Sequence, residues 1–484
     1  MYIQPQSVFK ILSGVPFDNT HKHTILFDNA SQQLAYFNSK VSHTFTDFTY
    51  VKKDNIVRVP LSSDAIYQCN YCMFQNVGYG NKWFFGFITD IEYVNNAVSS
   101  LSITIDDFQT WLFDVEIGNS FVEREHVADD TIGRHTVPEP INYGENVVMK
   151  VGEYFFGDWK VIIQAIPNTL KDTFGEASGK VINSLYTGAN LYKTDLNADS
   201  INSTIDQLLS QGYSIINIYE CPESFTRFGQ IYLNNETTGN TLPTAFSLPT
   251  ISSDSYTPTN KKLFTYPYVF LRVDNQQGSY SDFKFENMPG NIIAFQLLVN
   301  YINTVNCTLY PVAYESALNS EQSLTINNFP VCSWNENAFL NFVSMQFLTS
   351  TLASLVSLNA MPLFSEFTKS LVSPQAAKGN FSDANTLVQY DYFGYKFYTM
   401  GIKPEFAKIV DDYFTRWGYE VDVYKVPDLK TRTSFNYIKT RECRVVGSAP
   451  SDAITAIENN YNNGITLWHT TDVGNYSLDN SIRR

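Results

Sequence analysis

From Asn337 to Ser365 the chain carries no Asp, Glu, Lys or Arg, and the run reads NAFLNFVSMQFLTSTLASLVSLNAMPLFS. A stretch this long without charge exceeds the roughly 20 residues that cross a bilayer as a helix, so spanning has to be weighed. Asn341, Ser344, Gln346, Thr349, Ser350, Thr351, Ser354, Ser357 and Asn359 punctuate it, and Pro362 stops a helix near its end. A permanent anchor does not carry polar groups at this density. Two readings stay open. One is a buried helical hairpin in a large core; the other is a segment held soluble in one state and inserted into lipid in another, which needs apolar bulk without charge but tolerates hydroxyls. Periodicity does not separate them, because Leu348 interrupts the face on which Asn337, Asn341, Ser344 and Thr351 fall and the other polar residues scatter.

The surroundings are unlike this run. The chain has 484 residues, enough for two to four domains, and its 31 Tyr and 36 Phe with few charged residues favour strands and large packed or subunit-facing surfaces. The expected fold is mainly β, in the α+β sense: antiparallel sheets and barrel-like domains with a few helices and a long apolar loop. A net charge of -15 argues against a surface that grips nucleic acid through phosphates. Acid concentrates in residues 101–200, with 16 acidic and 7 basic side chains, while residues 395–445 hold 7 acidic and 10 basic. Such opposite-signed regions can meet between copies, although from charge alone ordinary solvated surface is the better explanation. No secretory signal is apparent in MYIQPQSVFKILSG, so the expectation is synthesis in a cytoplasm with free, buried thiols.

Local patterns place the elements. Gly78, Tyr79, Gly80 and Asn81 form a hairpin tip between aromatic strands, since glycine and asparagine accept positive φ. Leu101, Ile103 and Ile105, then Phe108, Trp111, Leu112 and Phe113, suit strands packed on one face. A helix is expected over Thr204–Gln211, capped by Asn202 or Ser203 and stopped by Gly212. Pro404 to Trp417 is the clearest helix, with Phe406, Ile409, Val410, Tyr413, Phe414 and Trp417 inward and Gly418 as its cap. Another follows Ser451 with Ile454, Ile457 and Tyr461 inward, ended by Gly464 before the strand ITLWH. A second charge-free run, Asn287 to Tyr314, reads as paired strands, which warns that absence of charge alone does not signal lipid.

Catalytic chemistry is not assembled by these patterns. Cys69 and Cys72 form a C-x-x-C without a second pair or nearby histidines. Glu123 and His126 have half the spacing of a di-iron carboxylate site and read instead as a strand edge of mixed charge. Asp106 with Asp107, and Asp411 with Asp412, could serve a glycosidase but read by default as solvated face residues. The expectation is no enzyme, no cofactor and no metal.

Four segments carry a family likeness: YGNKWFFGFITDIEY at Tyr79–Tyr93, DFQTWLFDVEIGNSFVEREHV at Asp107–Val127, PDLKTRTSFNYIKTREC at Pro427–Cys443 and NGITLWHTTDVGNYSLDN at Asn463–Asn480. With these, the chain resembles the tail-knob, or distal tail-tube, proteins of small short-tailed bacteriophages of Gram-positive bacteria. The likeness covers about the first 125 and the last 85 residues, with patches such as TYPYVF from Thr265 between them. It implies a homo-oligomeric ring, a hexamer, at the tail tip of the virion. Its partners would be further copies, other tail and collar proteins, genomic DNA passing through the lumen without specific binding, and the host cell membrane. It divides the chain into an N-terminal β tube-forming domain (1–126), a middle β-rich part with one helix (127–286), strands leading to a plug loop (287–336), the apolar plug loop (337–372) and a C-terminal α+β block returning to the tube (373–484). By position the uncharged run matches the loop that plugs the channel and then helps penetrate the host membrane. Its apolar side chains are Phe339, Leu340, Phe342, Val343, Met345, Phe347, Leu348, Leu352, Leu355, Val356, Leu358, Met361, Leu363 and Phe364. Known members have a longer loop rich in Gly and Ala, whereas this one is shorter and rich in Leu, Phe and Ser. A receptor-binding adhesin and a tail-borne cell-wall hydrolase are the alternatives.

Overall fold

The strand Ser7–Ser13, SVFKILS, buries Phe9, Ile11 and Leu12 and pairs on both sides, with Val41–Phe45 and with Cys69–Asn76. Its register slips at Leu12 against both neighbours, and both faces of the strand are covered: Phe9 and Ile11 join one apolar cluster and Leu12 the other. In the computed structural model of this chain the described residues are 7–46, 55–156, 158–167, 181–182, 185–186, 190–226, 240–241, 245–252, 256–276, 278–300, 306–315, 324–326, 331–333 and 394–483. Strands, nearly all of them antiparallel, are the main regular structure among these residues, with a few helices, as the aromatic and β-branched content demands.

The chain divides into two units. The first comprises Met1–Tyr143, Ser253–Leu263 and Pro404–Arg484, and the second Gly144–Ser252 and Phe264–Lys403. In the first, a six-stranded sheet runs Val41–Phe45, Ser7–Ser13, Cys69–Asn76, Phe84–Asn95, Val98–Ile105, Ile56–Val59. One apolar cluster gathers Phe37, Tyr71, Met73, Phe85 and Phe87, and another Phe9, Ile11, Val57, Leu101 and Ile103. A five-stranded sheet of the same unit runs His23–Ile25, Ile465–Trp468, Phe435–Glu442, Ser120–Glu125, Tyr419–Lys425. N-terminal and C-terminal strands therefore share one sheet, and the pair of His23–Ile25 with Ile465–Trp468 is parallel. Trp468 is fully buried there, its ring 4.7 Å from that of Phe435.

Among its described residues the second unit holds three four-stranded sheets. One runs Asn146–Phe155, Gly394–Ile402, Phe270–Asp274, Tyr280–Phe283; the next Asn190–Asp195, Trp159–Pro167, Tyr213–Pro222, Val331–Ser333; the last Asn240–Thr241, Phe295–Asn300, Asn306–Pro311, Leu324–Ile326. Within the uncharged run from Asn287 to Tyr314 the paired strands expected are present, Phe295–Asn300 lying antiparallel to Asn306–Pro311, although the run opens on a 3-10 turn at Pro289–Asn291.

Several local expectations change. Phe108 and Trp111 are helical, because Asp106 caps Asp107–Trp111 by accepting from the Gln109 amide. The middle helix begins earlier than expected, spanning Ala198–Ser210, with Asn197 accepting from the Ser200 amide at 2.8 Å. Pro404–Trp417 is helical over the bounds expected, but Ile409 is 58 % exposed while Ala407, Val410, Asp411 and Phe414 face inward. That face is selected by a polar group, as the next section shows. The hairpin tip is as read: Gly80 and Asn81 take φ of +65° and +57°.

Candidate functional site

The uncharged segment departs after Val331–Ser333 and the chain returns in Gly394–Ile402, each strand paired within a sheet of the second unit. Phe339, Leu340, Phe342, Val343, Met345, Phe347, Leu348, Leu352, Leu355, Val356, Leu358, Met361, Leu363 and Phe364 lie outside the described residues. The next described strand along the chain, Gly394–Ile402, pairs over nine consecutive residues with Asn146–Phe155 and over five with Phe270–Asp274.

The densest polar constellation lies in the first unit, where its three chain segments meet. Glu139 has a wholly buried carboxylate. Its Oε2 pairs with the Arg124 guanidinium, while Oε1 takes the Lys262 ammonium at 2.5 Å and the Glu420 amide at 2.8 Å. Arg124 also donates to the Gly418 carbonyl at 2.8 Å. Gly418 has φ +65°, and a Cβ there would come within 2.1 Å of the Glu125 carbonyl oxygen, so only glycine lets helix Pro404–Trp417 turn into strand Tyr419–Lys425. Burial lowers the Lys262 pKa, opposed by the Glu139 charge.

A second knot lies nearby in sequence. Asp411 accepts from the amides of Thr259 (3.0 Å) and Asn260 (2.9 Å) and from the Asn260 side chain (2.8 Å). This explains why the helix turns Asp411 inward and Ile409 outward: a carboxylate supplied with these donors, and with the Thr259 hydroxyl at 3.2 Å, is tolerated in the interior. Asp130 accepts from the Tyr419 hydroxyl at 2.6 Å and the Lys261 amide at 3.2 Å. The arm after strand Ser120–Glu125, the segment Ser253–Leu263 and the helix–strand pair from Pro404 are thus joined by carboxylates.

These contacts correct three expectations. Glu123 to His126 do not form a sheet edge, because Ser120–Glu125 pairs with Phe435–Glu442 on one side and Tyr419–Lys425 on the other. His126 is buried, accepts at Nδ1 from the Tyr437 amide (2.7 Å) and donates from Nε2 to the Thr415 carbonyl (3.0 Å), so neither nitrogen is free for a metal. Burial, with Arg432 nearby, holds its pKa down at about 3. Asp411 and Asp106 are interior groups rather than solvated ones; Asp106 accepts from the Tyr71 hydroxyl at 2.8 Å and burial raises its pKa. Cys69, Cys72, Cys221 and Cys307 are free and buried, and Cys443 is half-buried. Among the described residues no three His, Cys, Asp or Glu side chains could hold a metal, and no helix is long and apolar enough to cross a membrane.

This geometry builds a composite β scaffold. Two family models match the chain: the Caudoviral major tail protein N-terminus over residues 5–116, and the C-terminal domain of Bacillus phage phi29 tail knob protein gp9 over 225–354 and 365–481. The chain belongs to the phage tail-knob family. It is 26% identical to the tail knob proteins gp9 of Bacillus phages PZA and phi29, over 98% of this chain and 98% of each relative. Those alignments run over 590 and 594 positions against 484 residues here, so the relatives carry residues that this chain lacks. The fold resembles that of the bacteriophage C1 tail knob protein gp12, at TM-score 0.59 and 18% identity over 99% of this chain and 100% of that one. Residues 355–364, which the phi29 model leaves unmatched, fall inside the uncharged run.

Proposed function

We propose that this chain is a structural, non-enzymatic subunit of a tail knob at the tip of a virion. It assembles into a homo-oligomeric ring, a hexamer by family likeness, joined to other tail and collar proteins, through which genomic DNA leaves the particle. The observation that carries this reading is the end-to-end similarity to proteins named for the tail knob, over 98% of both chains. A net charge of -15 suits a conduit, because carboxylates repel phosphates and let DNA pass without sticking.

The uncharged segment is the working part of this reading. Set between strands of the second unit, it plugs the channel and, once released, enters the host membrane through Phe339 to Phe364. Its hydroxyls and amides keep it soluble among its copies, and its lack of charge removes the main cost of insertion. Deleting residues 337–365 should leave ring assembly intact and abolish dye release from liposomes by the purified protein. Release that survives the deletion would overturn the membrane role, while loss of the rings would place the segment in assembly.

A further inference from the structure

Lys262 and Glu139 meet in the interior of the first unit, their side chains 2 % and 0 % exposed. The nitrogen lies 2.5 Å from Oε1, so Nζ stands within about 3.7 Å of the carboxyl carbon whatever the angle between them. That is close to the separation from which two bound groups react. The rings of Phe414 and Tyr419 wall the amine in, with Nζ 5.8 and 5.4 Å from their centroids. Burial lowers the Lys262 pKa and so favours the neutral amine, which is the nucleophile.

The groups around the pair supply what a condensation needs. Arg124 holds Oε2, where negative charge builds as the carboxyl carbon becomes tetrahedral. Glu420 stands 3.5 Å from the same guanidinium. Burial and the Glu139 charge raise its pKa, which suits a carboxyl that carries a proton from nitrogen to oxygen. Charge stays balanced throughout. Two cations, Arg124 and Lys262, face two carboxylates, Glu139 and Glu420; condensation removes one of each and leaves Arg124 with Glu420. The cost of holding two of these charges away from water goes with them.

We propose that Lys262 and Glu139 join in an isopeptide bond that the folded chain forms by itself. Lys262 gives a proton to the carboxylate, and neutral Nζ attacks Cδ. The N–C bond forms, the Cδ–Oε1 bond breaks, and Oε1 departs as water with the two protons that the nitrogen has lost. Nothing is oxidised or reduced, and no further reactant enters. The bond pins the arm after strand Ser120–Glu125 to the segment Ser253–Leu263, and it is independent of the ring reading.

The mass of the purified chain decides it. Under denaturing conditions the unmodified protein should be lighter than its sequence by one water, and a tryptic digest should hold a branched peptide that joins Lys262 to Glu139. Full mass after prolonged incubation of the folded protein overturns the proposal, and so does a lost water that maps to any other position. Lys262→Arg keeps the cation but has no amine to condense, so it should retain its full mass with the native circular dichroism spectrum. A branched peptide that persists in this variant would also overturn the assignment. Glu420→Gln should slow bond formation by about a hundredfold; an unchanged rate would overturn the proton-carrying role given to Glu420.

Discussion

The ionisable side chains of Asp106, Arg124, Glu125, Lys262, Asp411 and Arg432 are buried in the first unit, whereas Gln164, Thr194, Thr265, Asn275, Ser281 and Thr399, the buried polar side chains of the second among its described residues, are not ionisable. The second unit joins its sheets by rings: Phe397 lies 4.6 Å from Phe246 and 5.5 Å from Phe295, and Phe283 lies 5.0 Å from Phe295. The contrast follows from how each is assembled. Three chain segments distant in sequence make up the first unit, and apolar surface alone would let them slide. A carboxylate that must meet a guanidinium, an ammonium and an amide at once admits one register. The sheets of the second unit draw theirs from strand pairing and need mainly volume between them.

The two regions should therefore break differently. Glu139→Ala strands Arg124 and Lys262 in the interior at a loss of about 3–5 kcal/mol, and Phe397→Ala empties the ring cluster at a similar loss of about 3–5 kcal/mol. Leucine separates them. Phe397→Leu should recover more than half of its deficit, while Glu139→Leu, which restores bulk without charge, should stay as unstable as the alanine variant. Urea denaturation measures all four, and a Glu139→Leu protein as stable as the parent would show that volume holds the junction too.

Acid should act on the charged unit. His126 is neutral and buried with a pKa of about 3, against about 6.5 for an exposed histidine. The folded state binds fewer protons than the unfolded chain between those values. Stability from this group is thus full above pH 6.5 and lost as pH falls toward 3, by about 2–3 kcal/mol at pH 4.5. Replacing it, as His126→Gln, should lower stability at pH 7 and flatten the decline below pH 6.5. An acid limb of unchanged steepness would assign the loss to other groups, such as His469, whose pKa burial also lowers, to about 4.

Much of the scaffold was legible in the sequence, because strands and helices are written in local spacing. Pro404 and Gly418 bracket their helix, and alternation in Leu101 to Ile105 gives its strand. The polar junction was not legible: Glu139 and Lys262 stand 123 positions apart, and Thr259 and Asp411 stand 152. No local pattern marks a carboxylate whose partners arrive from distant segments. The sign available was indirect, an aspartate at the inward i+4 position from Ala407 on a helix otherwise apolar on that face. Asp106 was hidden differently: it shows only as one of an acidic pair until its capping bond to Gln109 is seen.

The smallest expected effect comes from a partly exposed ion pair between neighbouring strands of the second unit. Arg272 meets Asp282 with two bonds of 2.7 and 2.8 Å, and its guanidinium lies 4.2 Å from the Tyr280 ring. By geometry this pair rivals the Glu139 junction. Its side chains, however, are 33 % and 23 % exposed, against 8 % and 0 % for Arg124 and Glu139. Water competes for the exposed charges and screens them, so a double-mutant cycle with Arg272→Ala and Asp282→Ala should give a coupling of about 0.2–1 kcal/mol. High salt should shrink it further, whereas the Arg124–Glu139 coupling should hardly respond. Should the two couplings come out equal, burial would not be what distinguishes the units; the number of bonds each carboxylate accepts would take its place.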